Sequence, residues 1–273
     1  MASTRKEAEP RVLALLVGID DYNKTAAKSD GTREFGPLKS ARNDAEQLKN
    51  TWQAQASSGK LYSGKDPVIR VDANAQPEEI LKQLDIIVKE AKTDDRVIIF
   101  LAGHGDFVDV EGKRKGSDDK TFVYCGPQYD RTKYTTTGLT GDEIFKKLAD
   151  CPARKVVLID ACHSGNAASA GVIRRLVPAG QGPVVIAACD QAEKSYEDPQ
   201  IRHGLFTKAV LEALGERLAD ADLSGDRKLD PQELYDYVTG RLPRLLKASG
   251  KSSESQHPQV FPLEPGRFAI AQK

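Results

Sequence analysis

The sequence predicts an α/β fold: a mostly parallel central sheet with helices on both faces. Three observations predict it. Short β-branched runs recur along the 273 residues. They alternate with stretches whose apolar residues are spaced three and four apart, as on one face of a helix. The strongest runs are apolar at every position, as a strand covered on both faces should be. Alternation of this kind builds parallel sheets through helical crossovers.

Each element follows from local chemistry. Val12-Leu-Ala-Leu-Leu-Val-Gly-Ile19 reads as a central strand. From about Leu38 to Gln55 a helix is expected, with Ala41, Ala45, Leu48 and Trp52 on one face. Pro67–Val71 is a weaker strand. Pro77–Ala91 is a helix opened by proline, with Ile80, Leu84 and Ile87 facing inward. Arg96–Ala102 is the third strand, and Thr121–Cys125 a short edge strand. A helix is expected over Leu139–Leu148, then core strands at Lys155–Ile159 and Pro183–Ala188. Helices over Leu205–Glu216 and Pro231–Ala248 and a last strand at Arg267–Ala271 complete the order. Val108–Asp119, Gln128–Gly138 and Asn166–Gly182 read as loops. There is no internal repeat or low-complexity tract. One domain over 1–273 is expected, large enough to bury a core without disulfides or a structural metal.

Lysine plus arginine and aspartate plus glutamate balance at 40 each. Neither nucleic acid nor an anionic membrane is indicated as a partner. The start, MASTRKEAEP, lacks the apolar core of a signal peptide, and no apolar run approaches the roughly 18 residues of a span. Four dispersed cysteines without a Cys-x-x-Cys pair fit free thiols in a reducing, cytoplasmic setting.

Chemistry concentrates at two strand exits. One reads Phe-Leu-Ala-Gly-His104-Gly105-Asp and the other Leu-Ile-Asp160-Ala-Cys162-His-Ser-Gly165. Ligands of open α/β sheets bind beyond the carboxyl ends of the strands. If the two strands are parallel, His104 and Cys162 leave from the same edge. A thiol is a poor nucleophile until deprotonated, and an imidazole takes the proton and returns it to a leaving amine. The Gly105 and Cys162 amides are placed to receive an oxyanion. Cys162 could also be a metal ligand or simple packing, but no paired Cys/His spacing suggests zinc. His163, His203 and His257 read as structural or solvent-facing.

At this point the chain resembles the caspase-like cysteine peptidases (C14), in their metacaspase and bacterial orthocaspase branch. The features that carry the resemblance are His-Gly 58 positions before Cys162, the wording Asp-Ala-Cys-His-Ser-Gly, Leu16-Val-Gly-Ile-Asp-Asp-Tyr22, Leu38-Lys-Ser-Ala-Arg-Asn-Asp44, and Ser195-Tyr-Glu197 followed by His203-Gly-Leu-Phe-Thr207. The resemblance implies a caspase-hemoglobinase-like fold and cysteine endopeptidase activity on a protein or peptide substrate. It implies Cys162 as nucleophile and His104 as base, with a large-subunit-like part over about 10–165, a possible processing loop over 166–182 and a small-subunit-like part over 183–273. It also implies a pocket for arginine or lysine lined by Asp44 and Asp160. Cleavage after basic residues is therefore expected, with Arg174 and Arg175 as possible self-cleavage sites and Lys194 and Arg202 as others. Relatives of this branch tend to be monomers and are linked to stress, cell death and defence.

Asp44 and Asp160 also admit plain readings, as a helix-end acid and a turn-orienting acid. No cofactor is required for the expected chemistry. One segment invites comparison with an EF-hand: Asp222, Ser224, Asp226, Lys228, Asp230 and Glu233 fall at the calcium-ligand positions of a twelve-residue loop. Ser224 lowers the ligand charge, and Arg227 stands where glycine allows the turn. Calcium binding and an ion-free helix–loop–helix corner both remain open. Two further readings of the whole chain are a caspase-fold interaction module with little turnover and a peptide ligase using the same dyad. Labelling of Cys162 by a reactive-site probe discriminates the first from a peptidase, and transpeptidation onto an added amine the second.

Overall fold

The computed structural model describes residues 10–23, 25, 35–57, 63–64, 66–110, 120–163, 182–190 and 193–273, with backbone alone for 56–57, 63–64, 162 and 163. The strands are β1 (Arg11–Gly18), β2 (Ser63–Gly64), β3 (Val68–Val71), β4 (Arg96–Asp109), β5 (Lys120–Cys125), β6 (Gly138–Thr140), β7 (Arg154–His163), β8 (Val184–Ala187), β9 (Glu197–Asp198), β10 (His203–Gly204), β11 (Lys228–Leu229), β12 (Gln259–Phe261) and β13 (Ala271–Gln272). The helices are α1 (Ala41–Ser57), α2 (Pro77–Glu90), α3 (Tyr134–Thr137), α4 (Gly141–Ala149), α5 (Leu205–Leu214), α6 (Leu218–Ala221) and α7 (Pro231–Ala248).

The sheet core runs β12-β8-β7-β4-β1, with β2 and β3 both paired to β1. From β8 to β3 the pairs are parallel; β12 closes the β8 side antiparallel. Strand alternation sorts the core into two layers. Leu13, Leu15, Val17, Val97, Ile99, Leu101, Val157 and Ile159 pack with Ile80, Leu84 and Ile87 of α2 and Ile144, Phe145 and Leu148 of α4. The intervening Ala14, Leu16, Ile98, Phe100, Val156, Leu158 and Ile186 pack with α1, α5 and α7 through Leu48, Trp52, Phe206, Val210, Leu234 and Val238. Hence the runs that are apolar at every position: each strand buries both rows.

Four expectations are corrected. β4 does not stop at Ala102 but continues to Asp109, because Gly105–Asp109 pair antiparallel with Lys120–Tyr124. β5 is no edge strand, since β6 pairs along its other side. The helix expected from Leu139 begins at Gly141, after the β6 residues, at a capping box in which Thr140 accepts from Glu143 N–H and Glu143 accepts from Thr140 N–H. The C-terminal strand is two residues long, Ala271–Gln272, and pairs with β11 away from the main sheet; β12 supplies the sheet's actual C-terminal strand. Among the described residues no helix is long and apolar enough to cross a membrane.

Candidate functional site

β4 and β7 run parallel, and their register pairs His104 with Cys162. Neighbouring strands lie about 4.8 Å apart, so the imidazole-bearing and thiol-bearing positions stand side by side. Both lie beyond Ala102, the last β4 residue still paired with β1. The sequence suggests that each stands where a strand gives way to a loop. Instead both strands continue through the site as a pair extending past β1, which fixes the two backbones by hydrogen bonding. Gly105, the expected oxyanion donor, pairs with His163 on one side and Tyr124 on the other.

His104 is held on three sides. Its ring stacks on Phe35 at 4.6 Å and meets Tyr22 edge-on at 4.6 Å. Its Nε2–H donates to the Gly36 carbonyl at 2.9 Å. That bond fixes the tautomer and leaves Nδ1 as the lone-pair nitrogen, buried and without a hydrogen-bond partner among the described residues. Burial pushes the His104 pKa below the ordinary histidine value, against the opposing pull of the Gly36 carbonyl. A neutral imidazole with one free acceptor nitrogen is the form a general base requires.

Tyr22 ties this arrangement together. Its hydroxyl accepts from His104 N–H at 2.9 Å and donates to the Cys125 carbonyl at 3.3 Å. Gly103 makes room for it: a Cβ there would stand 2.5 Å from the Tyr22 hydroxyl and 3.1 Å from that of Tyr124. Gly103→Ala is therefore expected to destabilise the protein by about 1–3 kcal/mol through overpacking. Thermal melting checks this, and an unchanged melting temperature contradicts the close contact.

A second group of residues forms a small cavity of about 20 Å³ beside this pair. Asp44 reaches it from the first turn of α1, and Asp160 from β7, two positions beyond Leu158 on the same face of the sheet. Both are buried, at 1% and 7% exposure. Gly204 lies between them: a Cβ on it would be 3.2 Å from Asp44 Oδ2 and 2.6 Å from Asp160 Oδ2. Glu197 adds a third acid to the lining, and among the described residues no lysine or arginine lines the cavity. Burial, then the charge of Asp160, pushes the Asp44 carboxyl well up. Asp160 is also raised by burial, opposed by donors from Ser195 and Thr207.

Asp44 stands in the first turn of α1, as the helix-end reading has it, but its hydrogen bonds go elsewhere. The α1 amides of Ala41 and Arg42 are capped by Asp20, at 2.8 and 3.3 Å, and the amides of Lys39 and Ser40, just before the helix, bond Glu197. Asp44 instead accepts from Gly204 N–H at 3.0 Å and bonds His203 Nδ1 at 2.5 Å. Asp160 does orient local structure, through Ser195 Oγ at 2.5 Å and the Thr207 amide and hydroxyl at 3.2 and 2.6 Å. A carboxylate has about four acceptor sites, so both acids keep capacity for another donor.

Several residues escaped the sequence reading. Tyr22, Phe35 and Gly36 position His104; Ser195, Thr207 and His203 hold the acids. Tyr22 was legible as a motif member, but nothing local marks it as the support of a histidine 82 positions on. His203, expected to be structural, stands on Asp44. His257 bonds Glu193 at 2.5 Å and is otherwise exposed. Cys125, Cys151 and Cys189 are buried and in no disulfide. Arg174 and Arg175, and the side chains of Cys162 and His163, lie outside the described residues.

The Asp222–Glu233 loop keeps an EF-hand outline. Arg227 adopts φ 67° where glycine is usual, and β11 pairs with β13. Its carboxylates turn to the loop's own backbone. Asp222 accepts from the amides of Gly225, Asp226 and Arg227, and Glu233 from those of Ser224 and Asp230. Among the described residues no three His, Cys, Asp or Glu side chains are grouped to hold a metal.

With this geometry in view, the comparisons are direct. The family model described as Caspase domain matches residues 11–264. A metacaspase-1 of Eremothecium gossypii is 28% identical over 161 residues, covering 56% of this chain and 32% of that protein; the chain thus spans about a third of that relative's length. A solved protein from Geobacter sulfurreducens superposes with a TM-score of 0.61 at 16% identity, over 92% of this chain and 93% of the other. Caspase-1 of Spodoptera frugiperda gives 0.55 at 12% identity, over 93% and 86%. Those two likenesses establish the fold, and the family match over most of the chain establishes that it belongs to the caspase-domain peptidases.

Proposed function

We propose that the chain is a cysteine endopeptidase that cuts after arginine or lysine. The observation that carries the chemistry is the His104–Cys162 register on two parallel strands, together with the free Nδ1 that the Gly36 bond leaves on His104. The Cys162 thiol gives its proton to His104 Nδ1, and the sulfur attacks the peptide carbonyl. The Cys162 and Gly105 amides receive the oxyanion. When the C–N bond breaks, the proton on His104 passes to the leaving amine. Water, activated by the same imidazole, then releases the acyl group and restores the thiol.

Specificity is supported by the cavity beside the pair. Asp44, Asp160 and Glu197 line it without a cation among them. Two buried carboxylates favour a guanidinium or ammonium over an apolar side chain, and repel an acidic one. A fluorogenic peptide panel tests the reading. Arginine and lysine substrates should exceed aspartate and norleucine ones by about 100-fold or more in kcat/KM, which takes about 2.7 kcal/mol of preferential binding in the transition state. Equal cleavage after aspartate, or no turnover of any peptide, overturns it.

A further inference from the structure

The two acids are held differently. Asp160 takes the Ser195 hydroxyl on Oδ1 and both Thr207 donors on Oδ2. Ser195 also accepts from the buried Gln256 amide at 3.1 Å, which commits its own proton to Asp160. Thr207 belongs to the first turn of α5, where the helix end favours negative charge. Asp160 is thus surrounded by donors that do not titrate.

Asp44 is bound to a group that does. Its Oδ1 lies 2.5 Å from His203 Nδ1, while among the described residues Oδ2 takes only the Gly204 amide. Asn43 braces this turn by donating to the Arg202 carbonyl at 2.8 Å, with its amide 3.4 Å from the same Nδ1. The His203 side chain is 16% exposed and the Asp44 side chain 2%, so the ring is the member of the pair that meets solvent.

We propose that His203 is a positioning residue that makes recognition of the basic side chain proton-linked, on the reading of Asp44 and Asp160 as the acids that receive it. One proton bridges His203 and Asp44. With the other ring nitrogen bare, the pair carries one negative charge; with that nitrogen protonated, it carries none. The incoming cation then faces Asp160 alone. The surrounding charges bear on this pair from every side. Burial first, then Lys208 of α5 and Arg202 of the same turn, lower the His203 pKa; Lys208 is itself paired with Glu212 and Glu216. Burial first, then Asp160 of β7, Glu197 of β9 and Asp20 beyond β1, raise that of Asp44. Proton and substrate cation compete for one net charge, so each weakens the other's binding by the same factor. Affinity for a basic side chain therefore rises as pH climbs through the His203 titration and levels off above it.

The experiment uses the full chain carrying Cys162→Ala, so that binding is read without turnover. Calorimetric titration with N-acetyl-arginine methylamide from pH 5 to 8 should show affinity rising about tenfold, within the range of ordinary coupling. His203→Asn in the same background keeps a donor near the Nδ1 position and cannot titrate; its affinity should not vary with pH. By reciprocity, saturating the parent with the same ligand should lower the NMR-read His203 pKa by about one unit. A flat affinity in the parent, a rise that survives His203→Asn, or a His203 titration unmoved by ligand overturns the proposal. The NMR arm decides if His203→Asn does not fold. Absence of arginine binding at every pH brings down the basic-side-chain reading as well, whereas pH-independent binding brings down only the role of His203.

Discussion

Cys162→Ala is expected to lower kcat for arginine peptides by about 10⁴-fold or more, the scale on which removal of a nucleophile acts in a proteolytic site whose groups work as a unit. Alanine leaves the β4–β7 hydrogen bonds intact, because these are made by backbone. The variant should therefore melt close to the parent, and the loss is chemical. Mass spectrometry of the purified chains adds a second reading. The parent should show cuts after basic residues, with Arg174 and Arg175 the first sites to inspect, and the variant none. Retention of activity within about tenfold of the parent would place the nucleophile elsewhere and remove the meaning of the His104–Cys162 register.

The second large effect separates the two acids. Asp44→Asn still gives the local groups partners: the amide oxygen accepts from Gly204 N–H, and its NH₂ donates to His203 Nδ1 once the ring carries its proton on Nε2. What it removes is charge. An expected 100-fold fall in kcat/KM on arginine peptides corresponds to about 2.7 kcal/mol, with turnover of neutral peptides little changed. Asp160→Asn behaves differently, because its new NH₂ must face Ser195 or Thr207, which already donate. Stranding a buried donor costs about 1–3 kcal/mol of stability, so this variant should lose both specificity and melting temperature. An Asp44→Asn enzyme with an unchanged ratio of arginine to neutral cleavage would remove Asp44 from substrate recognition.

Much of the fold was written locally. The apolar run at Val12–Ile19 matches β1 to within a residue at its end, that at Lys155–Ile159 falls inside β7, and the helices opened by Pro77 and Pro231 begin at those residues. Burial on both faces leaves a signal in one strand that needs no knowledge of the others. Where the reading failed, pairing decided. Gly103–Asp109 carries no strong strand pattern, and it is extended because β7 lies on one side and β5 on the other. Leu139 and Thr140 looked like the start of a helix, and became strand with Gly138 when β5 offered them a ladder. Two-residue strands such as β10 and β13 are too short for periodicity to register at all.

The sequence by itself determined the kind of sheet and the two chemically loaded strand segments, because these rest on residue type and short-range spacing; Asp44 and Asp160 were marked as acids worth testing only by the family resemblance. Only the tertiary structure decided that His104 and Cys162 share a register, that Gly36 and Tyr22 set the imidazole's free nitrogen, and that Asp44 bonds His203 159 positions away. Such contacts depend on which distant segments meet when two core layers close on one sheet, and no local pattern of side chains encodes that meeting.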